Sequence, residues 1–248
     1  MSRRAVALAW SALGWLGFNV VMIWAVLFLA GVWLPRTVDA PARVHPLPAL
    51  ATDLALLLLF AVQHSVMARR SAKAWLRRWV PPELERTAFV VATDICLALL
   101  FTLWQPFGGR VWSVDGGGGV GLWVLCGAGW ALAVASTYAV DHAELFGLRQ
   151  AGWLPPRSHG PGLALKVTGL HALVRHPLMT GLVLAFWVTP TMTASHLLFA
   201  AAATGYVLVG VGFEERDLRR AFGSAYDDYA ARVPALVPVP RAWFRAGP

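Results

Sequence analysis

Four short stretches hold most of the side chains capable of chemistry. In Arg175-His176-Pro177-Leu178-Met179-Thr180-Gly181 a cationic pair stands directly before a proline, which suits the first turn of a helix, where its missing N–H costs nothing. A helix N-terminus beside an arginine can hold a carboxylate or phosphate; the alternative is a plain positive anchor. In Glu214-Glu215-Arg216-Asp217 two adjacent carboxylates follow a long uncharged run. Neighbours on a helix point about 100° apart, so one carboxylate can face inward while the other meets an arginine, unless both merely solvate a helix end. Asp141-His142-Ala143-Glu144-Leu145-Phe146-Gly147-Leu148-Arg149-Gln150 offers either ordinary charge pairing or a polar lining with an aromatic wall, suited to adenine and ribose. It lacks the second histidine of an HExxH zinc motif. In Gln63-His64-Ser65 a base adjoins a hydroxyl, but no third group orients them, so the pair reads as pocket lining rather than as a covalent hydrolase.

The elements that position these groups are set by hydropathy. With 58% apolar and 14% charged residues, the 248-residue chain is far from a soluble average. A helix needs about 20 apolar residues to cross the hydrocarbon layer. Ala5–Trp33, Pro48–Met67, Thr87–Trp104, Val120–Val140 and Thr193–Phe213 qualify as five spans. Leu178–Val188, ended by Pro190, is apolar but short and reads as a sixth helix in a hairpin with its successor. The expected fold is all-α, a polytopic transmembrane bundle forming a single domain over residues 1–248. Arg3 and Arg4 resemble the basic start of a signal peptide, but the apolar run that follows is too long for one, so it reads as a retained anchor.

Charge orients the chain. Six crossings place 18 of the 21 Lys and Arg residues in sections on one side, leaving Arg36, Arg43 and Arg110 on the other. Basic residues gather on the cytoplasmic side, so both termini and the four polar stretches are expected there, in a bacterial inner membrane. The clustered groups include Arg157 near the third stretch and Arg241 and Arg245 near the end of the chain. The net charge of +8 is accounted for by topology and anionic headgroups, so no nucleic-acid partner is expected; no obligatory protein partner is evident.

The remaining features are plainer. Cys96 and Cys126 lie within apolar spans without metal-ligand spacing and read as buried thiols; no metal is expected. Gly116 to Gly119 lacks the lysine of a phosphate loop and reads as a flexible turn. Asp53 and Asp94 fall within or near spans, where structural pairing is expected, Asp94 with Arg86 or another cation.

RHPLMTG, TPTMT at 189–193, EERDL at 214–218, FGSAYDDY at 222–229 and Val233-Pro234 together resemble the C-terminal signature of the isoprenylcysteine carboxyl methyltransferase and phospholipid methyltransferase superfamily of membrane enzymes. QHSVMAR, Glu85-Arg86-Thr87 and DHAELFGLRQ narrow the resemblance, which runs from about residue 60 to 240, to the bacterial methanethiol S-methyltransferase branch, with its NnrU-like relatives.

That resemblance implies methyl transfer from S-adenosyl-L-methionine to a small volatile thiol, methanethiol, giving dimethyl sulfide and S-adenosyl-L-homocysteine. It implies a cofactor site mainly in 138–181 and 206–240. Arg175, His176 and Gly181 would contact the cofactor. Glu214 and Glu215 would hold its ribose or amino group, and His142, Arg149 and Gln150 would complete the pocket. Tyr226 and Tyr229 would close the C-terminal segment over it. Where the superfamily commonly has an aromatic after RHPL, this chain has Met179, then Thr180, a departure that bears on the substrate more than on the cofactor. A neutral alkanethiol is a poor nucleophile, so His64 is expected as the base, with Arg69 or Arg175 stabilising the thiolate. Other acceptors (a larger or prenylated thiol, a phospholipid amine), an NADPH-dependent reductase and a noncatalytic transporter or assembly factor are the competing readings.

Overall fold

The computed structural model describes residues 2–155 and 165–238. Arg157, Arg241, Arg245 and positions 239–240 of the expected cofactor region lie outside them. Five helices are long and apolar enough to cross a membrane: α1 (Arg3–Ala30), α2 (Pro46–Ala68), α4 (Glu85–Leu103, preceded by a 3-10 turn at Pro82–Leu84), α5 (Gly116–Val140) and α9 (Ala194–Phe222). Shorter helices are α3 (Arg70–Leu76), α6 (His142–Leu145), α7 (Leu148–Ala151), the apolar α8 (Pro177–Trp187) and α10 (Ser224–Ala230). The chain is a polytopic membrane protein built of helices, and large side chains such as Leu13, Ile23, Leu58, Val124 and Val209 stand exposed on the long ones. Such faces suit lipid, where a helix satisfies its own backbone hydrogen bonds.

The helix ends follow local chemistry. Ser2 caps α1 by accepting from the Ala5 N–H, and Gly31 ends it in a left-handed turn, earlier than the expected Trp33. Pro46 and Pro177 open α2 and α8. Two boundaries differ from expectation by a larger margin. Gly116 to Gly119 form the first turn of α5 rather than a flexible turn. A glycine in a helix costs about 1 kcal/mol, but helical hydrogen bonds outweigh that penalty in a lipid span. α9 runs on to Phe222, so the Glu214-Glu215-Arg216-Asp217 stretch lies inside a helix rather than at its end.

The chain divides into two compact units, residues 1–114, 141–157 and 191–199, and residues 115–140, 158–190 and 200–248. In the first, α1 and α2 both pack along α4. Phe28 is the centre of its aromatic core, with ring centroids 4.9 Å from Phe101, 6.1 Å from Trp104 and 6.4 Å from Phe199. A small antiparallel ribbon pairs β1 (Arg110–Ser113) with β2 (Thr191–Thr193), with a register irregularity between Arg110 and Trp112. Asp39 ties a loop to this end, accepting from the Thr193 N–H at 3.0 Å and bonding the buried His196 Nδ1 at 2.8 Å.

In the second unit α8 lies against α5. A Cβ on Gly181 would stand 2.6 Å from the Ala133 nitrogen and the Gly129 carbonyl, and one on Gly129 would stand 2.8 Å from the Gly181 carbonyl. Each helix presents a small residue and another four positions on (Gly129 and Ala133, Gly181 and Ala185), a pattern that lets helix backbones approach closely in membranes. Trp187 also ties α8 to its successor, donating to Thr204 Oγ1 at 2.8 Å. Cys96 and Cys126 are buried free thiols.

Candidate functional site

In the second unit the RHP and EERD stretches meet. Arg175 directs Nε and Nη2 at Glu215 Oε1, at 2.9 and 2.5 Å, and Nη1 at the carbonyls of Ala230 and Val233. Four of the five guanidinium hydrogens are thereby used. His176 sets Nε2 3.3 Å from Glu215 Oε1 and Nδ1 3.3 Å from Glu214 Oε2. Glu215 receives Arg219 as well, on Oε2. The Glu215 side chain is 12% exposed and Glu214 54% exposed, so the first is the hub of the cluster and the second remains open to a ligand.

The cluster also fastens the segment after α10. The Arg175 and His176 N–H groups donate to the carbonyls of Pro234 and Ala235, and Thr180 Oγ1 donates to that of Leu236. Tyr229 donates to the His171 carbonyl at 2.6 Å. Tyr226 is fully buried beneath the Arg219 guanidinium, and among the described residues its hydroxyl meets no hydrogen-bond partner. Burial, reinforced by the Glu215 charge, pushes the Tyr226 hydroxyl up to about 12. Among the described residues His171 Nδ1 is likewise buried without a partner, and burial holds the ring below the usual histidine range, helped by Lys166 and His176.

In the first unit the stretch from Asp141 folds on itself. Asp141 caps α6 through the Glu144 N–H and takes Arg149 on its other oxygen, while Gln150 donates to the Glu144 carbonyl. Gly147 has φ +82°, and a Cβ there would lie 2.9 Å from Thr87 Oγ1, so only glycine lets this turn close on the start of α4. His142 Nε2 accepts the Trp15 indole N–H at 2.9 Å.

His64 lies between the rings of Phe60 and Phe89 and places Nδ1 3.4 Å from Thr93 Oγ1. Thr93 gives its only hydrogen to the Phe89 carbonyl, so towards His64 it accepts, which leaves the imidazole lone pair on Nε2. Arg69 is exposed at the junction of α2 and α3. Arg86 instead reaches inward, donating to the Leu145 carbonyl at 2.6 Å with its guanidinium over Phe89.

Comparison with known proteins decides the family. The chain is 41% identical over 241 residues to methanethiol S-methyltransferase 2 of Bradyrhizobium diazoefficiens, covering 96% of this chain and 92% of the relative. It is 43% identical over 239 residues to methanethiol S-methyltransferase of Mycobacterium tuberculosis, covering 96% and 98%. The chain belongs to the methanethiol S-methyltransferase family. Nurim of Sus scrofa is 35% identical over 75% of this chain and 73% of its own. No family model and no solved structure matches.

Within this methanethiol S-methyltransferase family member, the structure brings Arg175, His176, Glu214, Glu215 and Tyr226 into one cluster of the second unit. Gly181 has a packing reason for its missing side chain, against α5. His64, Arg69, His142, Arg149 and Gln150 belong to the first unit, where Arg149 and Gln150 hold their own motif together. Asp94 does not find the expected cation: among the described residues its Oδ1 is buried without a hydrogen-bond partner. Arg86 lies eight residues earlier, about 12 Å along the helix, and turns to Leu145. Asp53 bonds the Gln105 backbone N–H rather than a cation. Sequence reading passed over His171 and gave Arg86 no role beyond pairing; the signal for Arg86 was its place in the Glu85-Arg86-Thr87 motif.

Proposed function

We propose that this chain is an S-adenosylmethionine-dependent methyltransferase that methylates methanethiol, releasing dimethyl sulfide and S-adenosylhomocysteine. The observation that carries the reading is near full-length similarity to proteins named methanethiol S-methyltransferase. The second unit's residues fit the cofactor: it holds a half-exposed carboxylate, Glu214, near enough to His171 to act on its charge, and, among the described residues, a His171 nitrogen and a Tyr226 hydroxyl buried without a hydrogen-bond partner. Such groups match the hydroxyls, amine and carboxylate of an amino-acid nucleoside. In this reading Glu214, His171 and Tyr226 contact the cofactor, while Arg175, His176 and Glu215 form the frame that holds them. Bound there, the cofactor supplies a methyl carbon made electrophilic by a sulfonium.

The protein's own contribution is alignment and proton handling. His64 Nε2 takes the thiol proton and passes it to water. The site faces the cytoplasm of a bacterial inner membrane, with both termini on that side, as the distribution of basic residues supports, and the whole chain acts as one membrane domain.

Calorimetry with S-adenosylmethionine and S-adenosylhomocysteine on purified protein, together with headspace detection of dimethyl sulfide from methanethiol, tests this. Glu214→Ala is expected to weaken binding of both about tenfold or more, as loss of a hydrogen bond to a charged group should. Protein that binds neither compound and forms no dimethyl sulfide sinks the reading.

A further inference from the structure

The first unit contains a cation with more hydrogens than acceptors. Arg86 uses Nε on the Leu145 carbonyl, and among the described residues its remaining guanidinium hydrogens meet no hydrogen-bond partner. It borders a small, partly open pocket lined by Met67, Lys73, Leu76, Glu85, Arg86 and Phe89. Three of these residues are apolar. Glu85 is paired with Arg77, and Glu144 is the other acid near Arg86, so the cations Arg86 and Lys73 face the space with one neutralised carboxylate beside them. His64 and Arg86 share one ring: the His64 centroid lies 4.8 Å, and Arg86 Cζ 5.0 Å, from that of Phe89.

We propose that this pocket is the acceptor subsite and that Arg86 holds the acceptor sulfur as a thiolate, an inference that rests on thiol methylation as the function. A guanidinium is weakly hydrated and suits a soft anion, and apolar walls strengthen the attraction. The S–H bond breaks, the proton goes to His64 Nε2, and the electron pair stays on sulfur, stabilised by Arg86; that pair would form the new S–CH3 bond as the donor's sulfonium–methyl bond breaks, its electron pair leaving on S-adenosylhomocysteine. Met67, Leu76 and Phe89 bound the alkyl group, so the subsite takes a thiol with a short carbon chain. The exposed Arg69 has no part in this.

The test uses the full-length protein in detergent or nanodiscs. Arg86→Gln is expected to lower kcat/KM for methanethiol about 100-fold near neutral pH, with a deficit that narrows as pH rises and the thiol ionises unaided. Arg86→Lys recovers part of the loss. Affinity for S-adenosylhomocysteine is unchanged in both. Without any methyl donor, the ultraviolet difference absorbance of methanethiol thiolate develops on the wild type near neutral pH and is lost in Arg86→Gln. Met67→Trp, which fills the pocket while keeping the Arg86 guanidinium, raises KM for methanethiol and leaves S-adenosylhomocysteine binding intact. A loss of equal size at every pH in Arg86→Gln, a thiolate signal that survives it, or an unchanged KM in Met67→Trp overturns the assignment. A wild type that makes no dimethyl sulfide defeats the proposed function instead, and the thiolate signal then still decides whether the pocket takes thiols.

Discussion

Trp15 has one hydrogen to give, and it gives it to Nε2 of His142. That bond exists only while Nε2 is unprotonated, so His142 must be neutral with its hydrogen on Nδ1. Burial holds the His142 ring below the usual histidine range, against the pull of Asp141. A depressed histidine contributes stability that is present above its unfolded value of about 6.5 and lost as pH falls through the folded one. Thermal unfolding in detergent is therefore expected to drop as pH falls below about 6.5. His142→Gln, which keeps an acceptor but cannot titrate, should flatten part of that slope; His171, depressed in the same direction, supplies another part. An identical acid slope in His142→Gln would remove the Trp15 bond as its source. At this scale the sequence was half legible. Charged motifs announced which segments matter, but not which side chains they consume internally: Arg149 serves Asp141 and Arg175 serves Glu215, whereas Arg86, marked only by its place in the Glu85-Arg86-Thr87 motif, borders a pocket. Spacing along a chain does not encode where a long side chain ends.

The five spans were readable because lipid imposes one length and one composition, and Pro177 marked the start of α8, whereas α2 opens at Pro46, two residues before the expected Pro48. The ribbon of Arg110–Ser113 with Thr191–Thr193 was not, since two short strands that pair across a long sequence separation leave no local periodicity. Nor was the glycine start of α5, where the environment overrides propensity. The contact between α8 and α5 makes a sharp prediction at this scale. Gly181→Leu places a side chain where backbone atoms stand 2.6 Å from the Cβ position, and it should destabilise the second unit by about 3 kcal/mol or expel α8 from α5. Gly181→Ala should do the same in milder form. Detergent-solubilised unfolding temperature reports both, and wild-type stability in Gly181→Leu would mean that the two helices do not meet through this face.

For the molecule as a whole, the charge pattern predicts sidedness. With Cys96→Ala and Cys126→Ala as background, Asp115→Cys should react with a membrane-impermeant maleimide on intact cells, while Ser2→Cys and Ser224→Cys react only after the membrane is opened. The reverse pattern would invert the proposed topology. The way the second unit closes has a consequence in genetics and in the order of synthesis. Arg175 is neutralised by Glu215 but finds its last two acceptors, the carbonyls of Ala230 and Val233, beyond every membrane helix, and Pro234, Ala235 and Leu236 complete the fastening. A premature stop codon just before this segment spares all five spans yet should behave as a null allele. During translation the inserted helices must wait for this segment, made after every span, before the unit can lock. Synthesis is thus proofread beyond the last span, by an arginine placed well upstream.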